Sequence, residues 1–148
     1  MNAMTAEQRQ TSAREVIEIS FPGSVEFVVL ARFTAATIGA RAGFDLDEID
    51  DLRLAVDELS VSFGPLDGHT GLRYEFLRQG ETVSVRCTRE PIEGAEGGFQ
   101  AEREVINWQQ ARELSEQLLD ELVTAHGREV TAGRSVAWLT KHRGSTVR

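Results

Sequence analysis

The stretch Asp50–Phe63, DDLRLAVDELSVSF, decides the fold of this chain because its apolar residues repeat at helical spacing. The residues that recur at gaps of three and four are Ile49, Leu52, Val56, Leu59 and Phe63. This periodicity predicts a helix with one face against a hydrophobic core. At about 100° per residue, Glu58 lies on the other side of that helix. Its neighbours there are Asp51, Leu54, Ala55, Val61 and Ser62. The helix is therefore either buried on both sides or forms the floor of a cleft, although periodicity alone favours a solvated acidic edge.

Composition and charge limit the function classes that need to be considered. The chain has 148 residues, of which 41% are hydrophobic and 27% are charged. These values are typical of one soluble globular domain. We expect a disordered lead over residues 1–13, a single domain over 14–143 and a flexible tail over 144–148. The net charge is −8, and Lys141 is the only lysine. Direct binding of nucleic acid is therefore not expected, whereas a basic protein partner would suit this surface.

Neither a disulfide, a metal site nor a membrane segment is predicted. Cys87 is the only cysteine, so an intramolecular disulfide is excluded, and its position in a predicted strand indicates a buried structural thiol. The three histidines, His69, His126 and His142, lack the spacing of metal ligands. The sequence has no apolar run of transmembrane length and no recognisable secretory signal, which predicts a cytoplasmic location.

The remaining patterns predict an α+β sandwich, with a largely antiparallel sheet and helices on one face. A strand is expected over Glu15–Ser20, followed by a helix from the cap Ser24 to about Ala42, with Gly43 as its stop. Asp45 or Asp47 caps the second helix, and Gly64–Pro65 ends it. The later elements are a hairpin of Leu72–Leu77 and Thr82–Cys87 around Gln79–Gly80, a helix over Val105–Leu119, and two strands over Glu121–Ala125 and Ser135–Thr140.

The segment Thr88–Glu102 between the hairpin and the third helix is rich in glycine and glutamate. Glycine lets backbone N–H groups approach a phosphate, so the run Gly94, Gly97, Gly98 invites that interpretation. The run lacks both a P-loop lysine and the Rossmann spacing, and nearby glutamates would repel an anion. A flexible surface loop is therefore the better interpretation.

Residues Pro22 to Phe63 resemble the N-terminal half of the RsbW-type anti-sigma factors. These proteins are serine kinases of the GHKL superfamily with the Bergerat, or histidine-kinase-like ATPase, fold. The resemblance rests on FPGS, a helix that bears Arg32, the linker GFDLDEIDDL and the motif LRLAVDEL. It is strongest with the divergent actinobacterial members that bind a stress- or sporulation-type sigma factor. It implies the Bergerat-like α+β fold with a mostly antiparallel, mixed sheet.

The resemblance also implies roles for two residues of the second helix. Glu58 matches the glutamate that serves as general base in the family's kinases, a role that requires the carboxylate to reach the attacking hydroxyl. Ser62 occupies the place of the asparagine that holds Mg²⁺ in the family. Serine can ligate Mg²⁺ but is shorter, so this position departs from the pattern.

Two further nucleotide-binding elements of the family are missing. The D-x-G-x-G box should follow the Thr82–Cys87 strand, but TREPIEGAEGGF contains no aspartate to accept the adenine amino group. The glycine box that should open the last helix is absent from VINWQQAREL. Phosphoryl transfer needs metal, clamped phosphates and base together. No cofactor is therefore expected, with ATP and Mg²⁺ as the ligands if the family activity is retained.

The resemblance implies an anti-sigma factor that sequesters an alternative sigma factor and has a degenerate ATP site. It further implies a homodimer and a competing anti-anti-sigma antagonist of the STAS type. Arg32 matches an arginine on the family's first helix that contacts the sigma factor or the antagonist. Without the resemblance, Arg32 would be interpreted as a solvated arginine. Two alternatives are an active kinase that phosphorylates the antagonist and an ATP-sensing module without a sigma partner.

Overall fold

The computed structural model describes residues 13–66, 68–91 and 108–144, together with residues 3, 5 and 6. Within these ranges the chain forms three helices and five strands. In chain order they are β1 (Arg14–Pro22), α1 (Val25–Arg41), α2 (Leu46–Val61), β2 (Thr70–Gln79), β3 (Thr82–Pro91), α3 (Trp108–Leu122), β4 (Ala125–Thr131) and β5 (Arg134–His142). The predicted order of elements is therefore confirmed. The predicted lead, the predicted tail and most of the Thr88–Glu102 loop lie outside the described residues.

The strands form one sheet in the order β1-β2-β3-β5-β4. Every neighbouring pair is antiparallel, so the described sheet is purely antiparallel rather than mixed. Alternate residues of the central strands are fully buried, for example Tyr74, Phe76, Val85 and Leu139. These residues form one core with α1 and α2, as expected for a sheet whose helices pack on one face.

Helix α2 lies between the other two helices and confirms the stripe predicted from Asp50–Phe63. Leu52, Val56, Leu59 and Phe63 are buried, and Ile49 is partly buried against the same core. A capping box starts the helix, with Asp45 Oδ1 accepting from Glu48 N and Glu48 Oε1 accepting from Asp45 N. Ser115 Oγ of α3 donates to the carbonyl oxygen of Glu58 at 3.1 Å. The second face of α2 is therefore packed against α3 rather than solvated along its length.

Helix α1 has the predicted length, but of the four residues that its periodicity predicts for the core face, Val28, Val29, Phe33 and Ala36, only Val28 is fully buried. Gly43, at φ +81°, follows it as the expected stop. The buried residues are Val28, Ala31, Ala35, Ile38 and Gly39. Val29 and Phe33, which hydrophobicity alone assigns to the core, are exposed. Gly39 faces α2, because a Cβ built on it would lie 3.3–3.4 Å from Phe44, Ile49 and Leu52. The glycine thus permits close approach of the two helices at this point.

The last third of the chain departs furthest from the prediction. Residues 121 and 122 end helix α3, and the strand begins only at Ala125, so the predicted strand Glu121–Ala125 is wrong. Within α3, Ser115 and Leu119 are buried, whereas Leu114 and Leu118 are exposed. The buried Lys141 donates from Nζ to the Leu122 carbonyl oxygen at 2.8 Å. This bond satisfies one of the carbonyl groups left open at the helix end.

A buried arginine connects the β1 edge of the sheet to α1. Arg78 of β2 is almost fully buried and donates from Nε to Glu15 Oε1 at 2.6 Å. Arg41, at the end of α1, donates to both Glu15 oxygens at 2.7 and 2.8 Å. Hydrogen bonds from Arg41 and then Arg78 lower the pKa of the Glu15 carboxyl below its ordinary value. Glu15 therefore joins three elements through charge-assisted hydrogen bonds.

The Glu15 cluster predicts a pH-dependent contribution to stability. A carboxylate with a lowered folded-state pKa stabilises the fold above its unfolded-state pKa, which is about 4.3. That contribution is lost as the pH falls through the lowered folded-state value. Tm measured from pH 7 to pH 3 should therefore show wild type well above Glu15→Gln at pH 7, with the gap closing in acid. Glu18→Gln, an exposed substitution on the same strand, is the control. A gap that stays constant with pH would contradict the prediction.

A search of the described residues finds no helix that combines the length and the hydrophobicity needed to cross a bilayer.

Candidate functional site

The outer face of α1 carries an apolar surface, which we call the α1 patch. It consists of Val25, Val29, Leu30 and Phe33, all of which are exposed. Phe33 is 62% exposed and Val25 is 71% exposed. At about 100° per residue, Val29 and Phe33 lie opposite the buried Ala31 and Ala35. The α1 patch thus lies on the face of α1 opposite the one that enters the core.

Arg32 lies at the margin of the α1 patch and is paired with α2. Its Nε donates to Asp57 Oδ1 at 2.7 Å, and its side chain remains 39% exposed. Arg32 is therefore partly exposed, but one of its guanidinium nitrogens is engaged within the chain. The exposed part of the guanidinium still offers donors to a partner. Asp57 holds Arg32 in a defined position beside the patch.

A shallow cavity of about 450 Å³ opens next to this ion pair. It is lined by Arg32, Asp50, Arg53, Leu54 and Asp57. Leu54 is exposed on α2 and lines this cavity together with the Arg32–Asp57 pair. The combined surface offers apolar area, a positive group and negative groups within one small region. Such a mixture of apolar anchors and charges is typical of protein interfaces.

Glu58 and Ser62 lie one helical turn apart towards the end of α2. Glu58 is half-buried, and Ser62 is the C-terminal cap residue of the helix. Ser62 lines two cavities at this end of the molecule, whereas Glu58 is not among the residues that line them. The described structure thus places the serine, but not the carboxylate, on the walls of these two cavities. Neither residue contacts Arg32 among the described hydrogen bonds and ion pairs.

The larger of these cavities, which we call the arginine cavity, has a volume of about 730 Å³. It lies between the end of α2, the end of β3, the start of α3 and the turn between β4 and β5. Its lining comprises Ser62, Phe63, Thr70, Arg89, Glu90, Pro91, Arg112, Arg128, Glu129, Val130, Gly133, Arg134, Ser135 and Val136. The four arginines outnumber the two glutamates on the wall of a chain whose net charge is negative.

Cys87 is a structural thiol, as predicted. It is fully buried on the helix-facing side of β3, and burial raises its pKa to about 12. A thiol with so high a pKa is not a nucleophile at neutral pH. Tyr74 of β2, directly opposite in the register, donates from its hydroxyl to the Val56 carbonyl oxygen at 3.3 Å. Both side chains therefore serve the packing of α2 on the sheet.

The described residues contain no group of three or more histidine, cysteine, aspartate or glutamate side chains arranged to hold a metal ion. His126 pairs with Asp120 at 2.6 Å, and His142 lies 2.8 Å from Thr82 Oγ1. The partners of these two histidines thus lie on α3 and β3.

Sequence reasoning missed Asp57 and all four arginines of the arginine cavity. Asp57 belongs to the acidic edge of α2, and only the neighbouring position of α1 reveals its partner. Arg89, Arg112, Arg128 and Arg134 are far apart in the chain, so no local pattern connects them. The sheet order, which places β5 between β3 and β4, brings the three strand arginines together, and the start of α3 adds Arg112.

Comparison with known proteins shows similarity to serine-protein kinases over one short segment of the chain. No family model matches the chain. It is 39% identical over 44 residues to the serine-protein kinase RsbW of Bacillus cereus (strain AH187). The same identity and length hold for RsbW of Bacillus thuringiensis (strain Al Hakam). Each match covers 30% of this chain and 28% of the relative, so less than a third of those proteins is represented. The chain is thus similar to the RsbW serine-protein kinases over one segment of 44 residues.

Proposed function

We propose that this chain is an anti-sigma factor of the RsbW type that binds an alternative sigma factor through the α1 patch. Binding would hold the sigma factor away from core RNA polymerase. The partial similarity to RsbW supports this class of protein. The α+β architecture of three helices and an antiparallel sheet is consistent with the Bergerat-like fold that we propose with it.

The observation that carries the proposal is the exposure of the α1 patch. Exposed apolar side chains are ordinary when they are scattered, but a contiguous set indicates an interaction site. Here four large apolar residues occupy one face of one helix, with Leu54 of α2 nearby. A central aromatic residue such as Phe33 is the usual anchor of a protein interface. The patch is therefore suited to an apolar surface of a folded partner.

Charge at the margin of the patch supports a defined orientation of the partner. The Arg32 guanidinium is a planar donor, and an acidic side chain of a partner can accept from its exposed part. Asp57 fixes the guanidinium through Nε, which lowers the entropic cost of ordering it on binding. Arg32 is therefore placed as a positioning contact beside the apolar anchors.

The test is a binding titration of the purified chain against the alternative sigma factors encoded in the same genome. One of them should bind with a one-to-one ratio of chains or with one sigma factor per dimer, and it should be displaced from core polymerase. The housekeeping sigma factor is the negative control. Failure of every alternative sigma factor to bind at micromolar concentration would overturn the proposal.

An active serine kinase is the second candidate function, because the similar proteins are serine-protein kinases. The sequence lacks the aspartate of the D-x-G-x-G box and the glycines that should open the last helix, and this argues against kinase activity. We predict that Mg-ATP binds weakly, with a dissociation constant above low micromolar values. Isothermal titration with Mg-ATP checks this prediction. Tight binding would restore the kinase candidate, and Glu58→Gln should then abolish transfer of phosphate to the antagonist.

We further propose that the chain forms a homodimer through β1 and that a STAS-type antagonist competes for it. β1 is the longer of the two edge strands, and the exposed Val16 lies on it. An open edge can pair with a second copy. Light scattering should therefore give twice the 16.4 kDa of one chain.

Two variants make the dimer prediction specific to β1. Val16→Lys should yield the mass of one chain, because lysine on an edge strand opposes strand pairing. Val130→Lys, on the opposite edge strand β4, is the matched control and should remain dimeric. A single-chain mass for the wild type at tens of micromolar protein would refute the dimer.

A further inference from the structure

Helix α3 carries two large apolar side chains that the core does not use. Leu114 is 57% exposed and Leu118 is 47% exposed. Because the two leucines are four residues apart, they are neighbours on the helix surface and form one apolar strip. Two carboxylates of the same helix, Glu113 and Glu121, border this strip. We call the surface formed by these four residues the α3 face.

The α3 face points away from strand β4. The opposite flank of α3 is held to that strand by two polar contacts, Glu116 with Arg128 at 3.0 Å and Asp120 with His126 at 2.6 Å. At about 100° per residue, the two leucines lie about 160° around the helix from Glu116 and Asp120. Strand β4 therefore does not cover the leucines.

Helix α2 borders the α3 face on its other side. Ser115 of α3 donates to the Glu58 carbonyl oxygen of α2 at 3.1 Å. Lys141 caps the end of α3, and its charge interacts with carboxylates at the start of α2. The two helices therefore run antiparallel, which places Leu118 close to the level of Leu54, itself 55% exposed. The seam between α2 and α3 thus carries exposed leucines from both helices.

The same two helices carry the negative charge of the chain. Helix α2 contains six carboxylates and one arginine, and α3 contains four carboxylates and one arginine. Ten carboxylates against two arginines give −8, which equals the net charge of the whole chain. Glu113 and Glu121 pair with no cation among the described residues. Both carboxylates are therefore available to the cations of a partner.

We propose that the α3 face binds a basic amphipathic helix of a partner protein. The partner places apolar side chains on Leu114 and Leu118, whose spacing of one helical turn suits a docked helix. Lysine or arginine side chains of that helix lie against Glu113 and Glu121, and this charge complementarity sets its orientation. An anionic membrane surface or a nucleic acid would be repelled by the same carboxylates. The α3 face is separate from the α1 patch, because α2 lies between α1 and α3, and it does not depend on the sigma-factor proposal.

The test titrates a labelled synthetic peptide with the full chain and follows fluorescence anisotropy. The peptide has a length of about five helical turns, with leucine at every third or fourth position and lysine on both flanks of the leucine strip. It should bind at low salt with a dissociation constant on the order of 1–10 μM, and about 0.5 M salt should weaken binding by roughly tenfold or more. A peptide of the same composition with scattered leucines should bind at least about tenfold more weakly.

Variants of the chain locate the bound peptide. The double variant Leu114→Gln, Leu118→Gln should weaken peptide binding by about tenfold or more, with little change in Tm because both side chains are exposed. Val130→Gln, at a 74% exposed position of β4, is the matched control and should bind the peptide as the wild type does. Phe33→Asp in the α1 patch should also leave peptide binding unchanged.

Several outcomes would overturn the proposal. Equal binding of the two peptides would indicate general charge attraction, and wild-type affinity in the double leucine variant would remove α3 from the contact. A loss of peptide binding in Phe33→Asp as large as that in the leucine variant would place the peptide on the α1 patch instead. If the leucine variant does not fold, amide NMR shifts of the wild type decide: the peptide should move Leu114, Leu118 and Glu121, and shifts confined to other elements would contradict the site.

Discussion

Replacing Phe33 with aspartate is expected to weaken binding of the sigma factor by roughly 100-fold or more, at about 1.4 kcal/mol per tenfold change. Phe33 is the largest exposed side chain of the α1 patch. Truncating a central aromatic anchor of an interface costs about 2–4 kcal/mol. Aspartate adds the cost of placing a charge against the apolar surface of the partner. The measurement is a titration of immobilised sigma factor with each variant, alongside a thermal melt.

The fold of the Phe33→Asp variant should remain intact, because the side chain lies outside the core and its loss creates no cavity. Substitutions at such positions usually change stability by about 0.5 kcal/mol or less. Val130→Asp is the matched control, since Val130 is 74% exposed on β4 and lies outside the α1 patch. That variant should bind the sigma factor as the wild type does. Unchanged binding of Phe33→Asp would remove the α1 patch from the interface.

Replacing Arg32 with alanine is expected to weaken sigma binding by roughly thirtyfold, which corresponds to about 2 kcal/mol. The loss arises because Arg32 donates to an acidic group of the partner from beside the α1 patch. The pair with Asp57 is partly exposed, and pairs of that kind contribute roughly 0–1 kcal/mol to stability. Tm should therefore change little. The measurement is the same titration and melt that test Phe33.

Asp57→Asn separates a contact role of Arg32 from a purely structural one. It breaks the ion pair but keeps the guanidinium, so most of the sigma affinity should remain. Arg41→Ala is a second control on the same helix. Arg41 pairs with Glu15 at the far end of α1, so its loss should lower Tm rather than sigma affinity. Equal losses of affinity for Arg32→Ala and Asp57→Asn would assign Arg32 to helix packing instead of the interface.

The sequence was sufficient to predict α2 because its apolar periodicity and its capping residues indicate the same helix. Periodicity selected the buried stripe of Leu52, Val56 and Leu59, and all three are at most 1% exposed. The choice between Asp45 and Asp47 as the cap was settled by Glu48, which completes the capping box three residues after Asp45. Local side-chain chemistry and core packing therefore specify the same helix.

The face of α1 could not be predicted, because both of its sides are apolar. Ranking residues by size and hydrophobicity assigns Val29 and Phe33 to the core. The structure instead buries Ala31, Ala35 and Gly39, and Gly39 permits close packing on α2. The distance between two helices is a tertiary property that periodicity does not contain. For the same reason, periodicity could not predict that Leu114 and Leu118 of α3 are exposed while Ser115 is buried.

The two candidate sites differ in how far the sequence could lead to them. Arg32 was found through the family resemblance, but its partner Asp57 was not, because the pair joins two helices. The arginine cavity is assembled from four positions that no local motif links. Its existence depends on the sheet order and on the position of α3. Long-range topology is the property that single-sequence reasoning determines least well.

Hydrogen–deuterium exchange of the chain, with and without a bound alternative sigma factor, tests the central claim most directly. Our account predicts slower exchange over α1, Val25–Arg41, in the complex, because partner binding would suppress local opening of this helix. Exchange in β4, Ala125–Thr131, should be unchanged. A complex that forms with no change over α1, or the absence of any complex, would contradict the account.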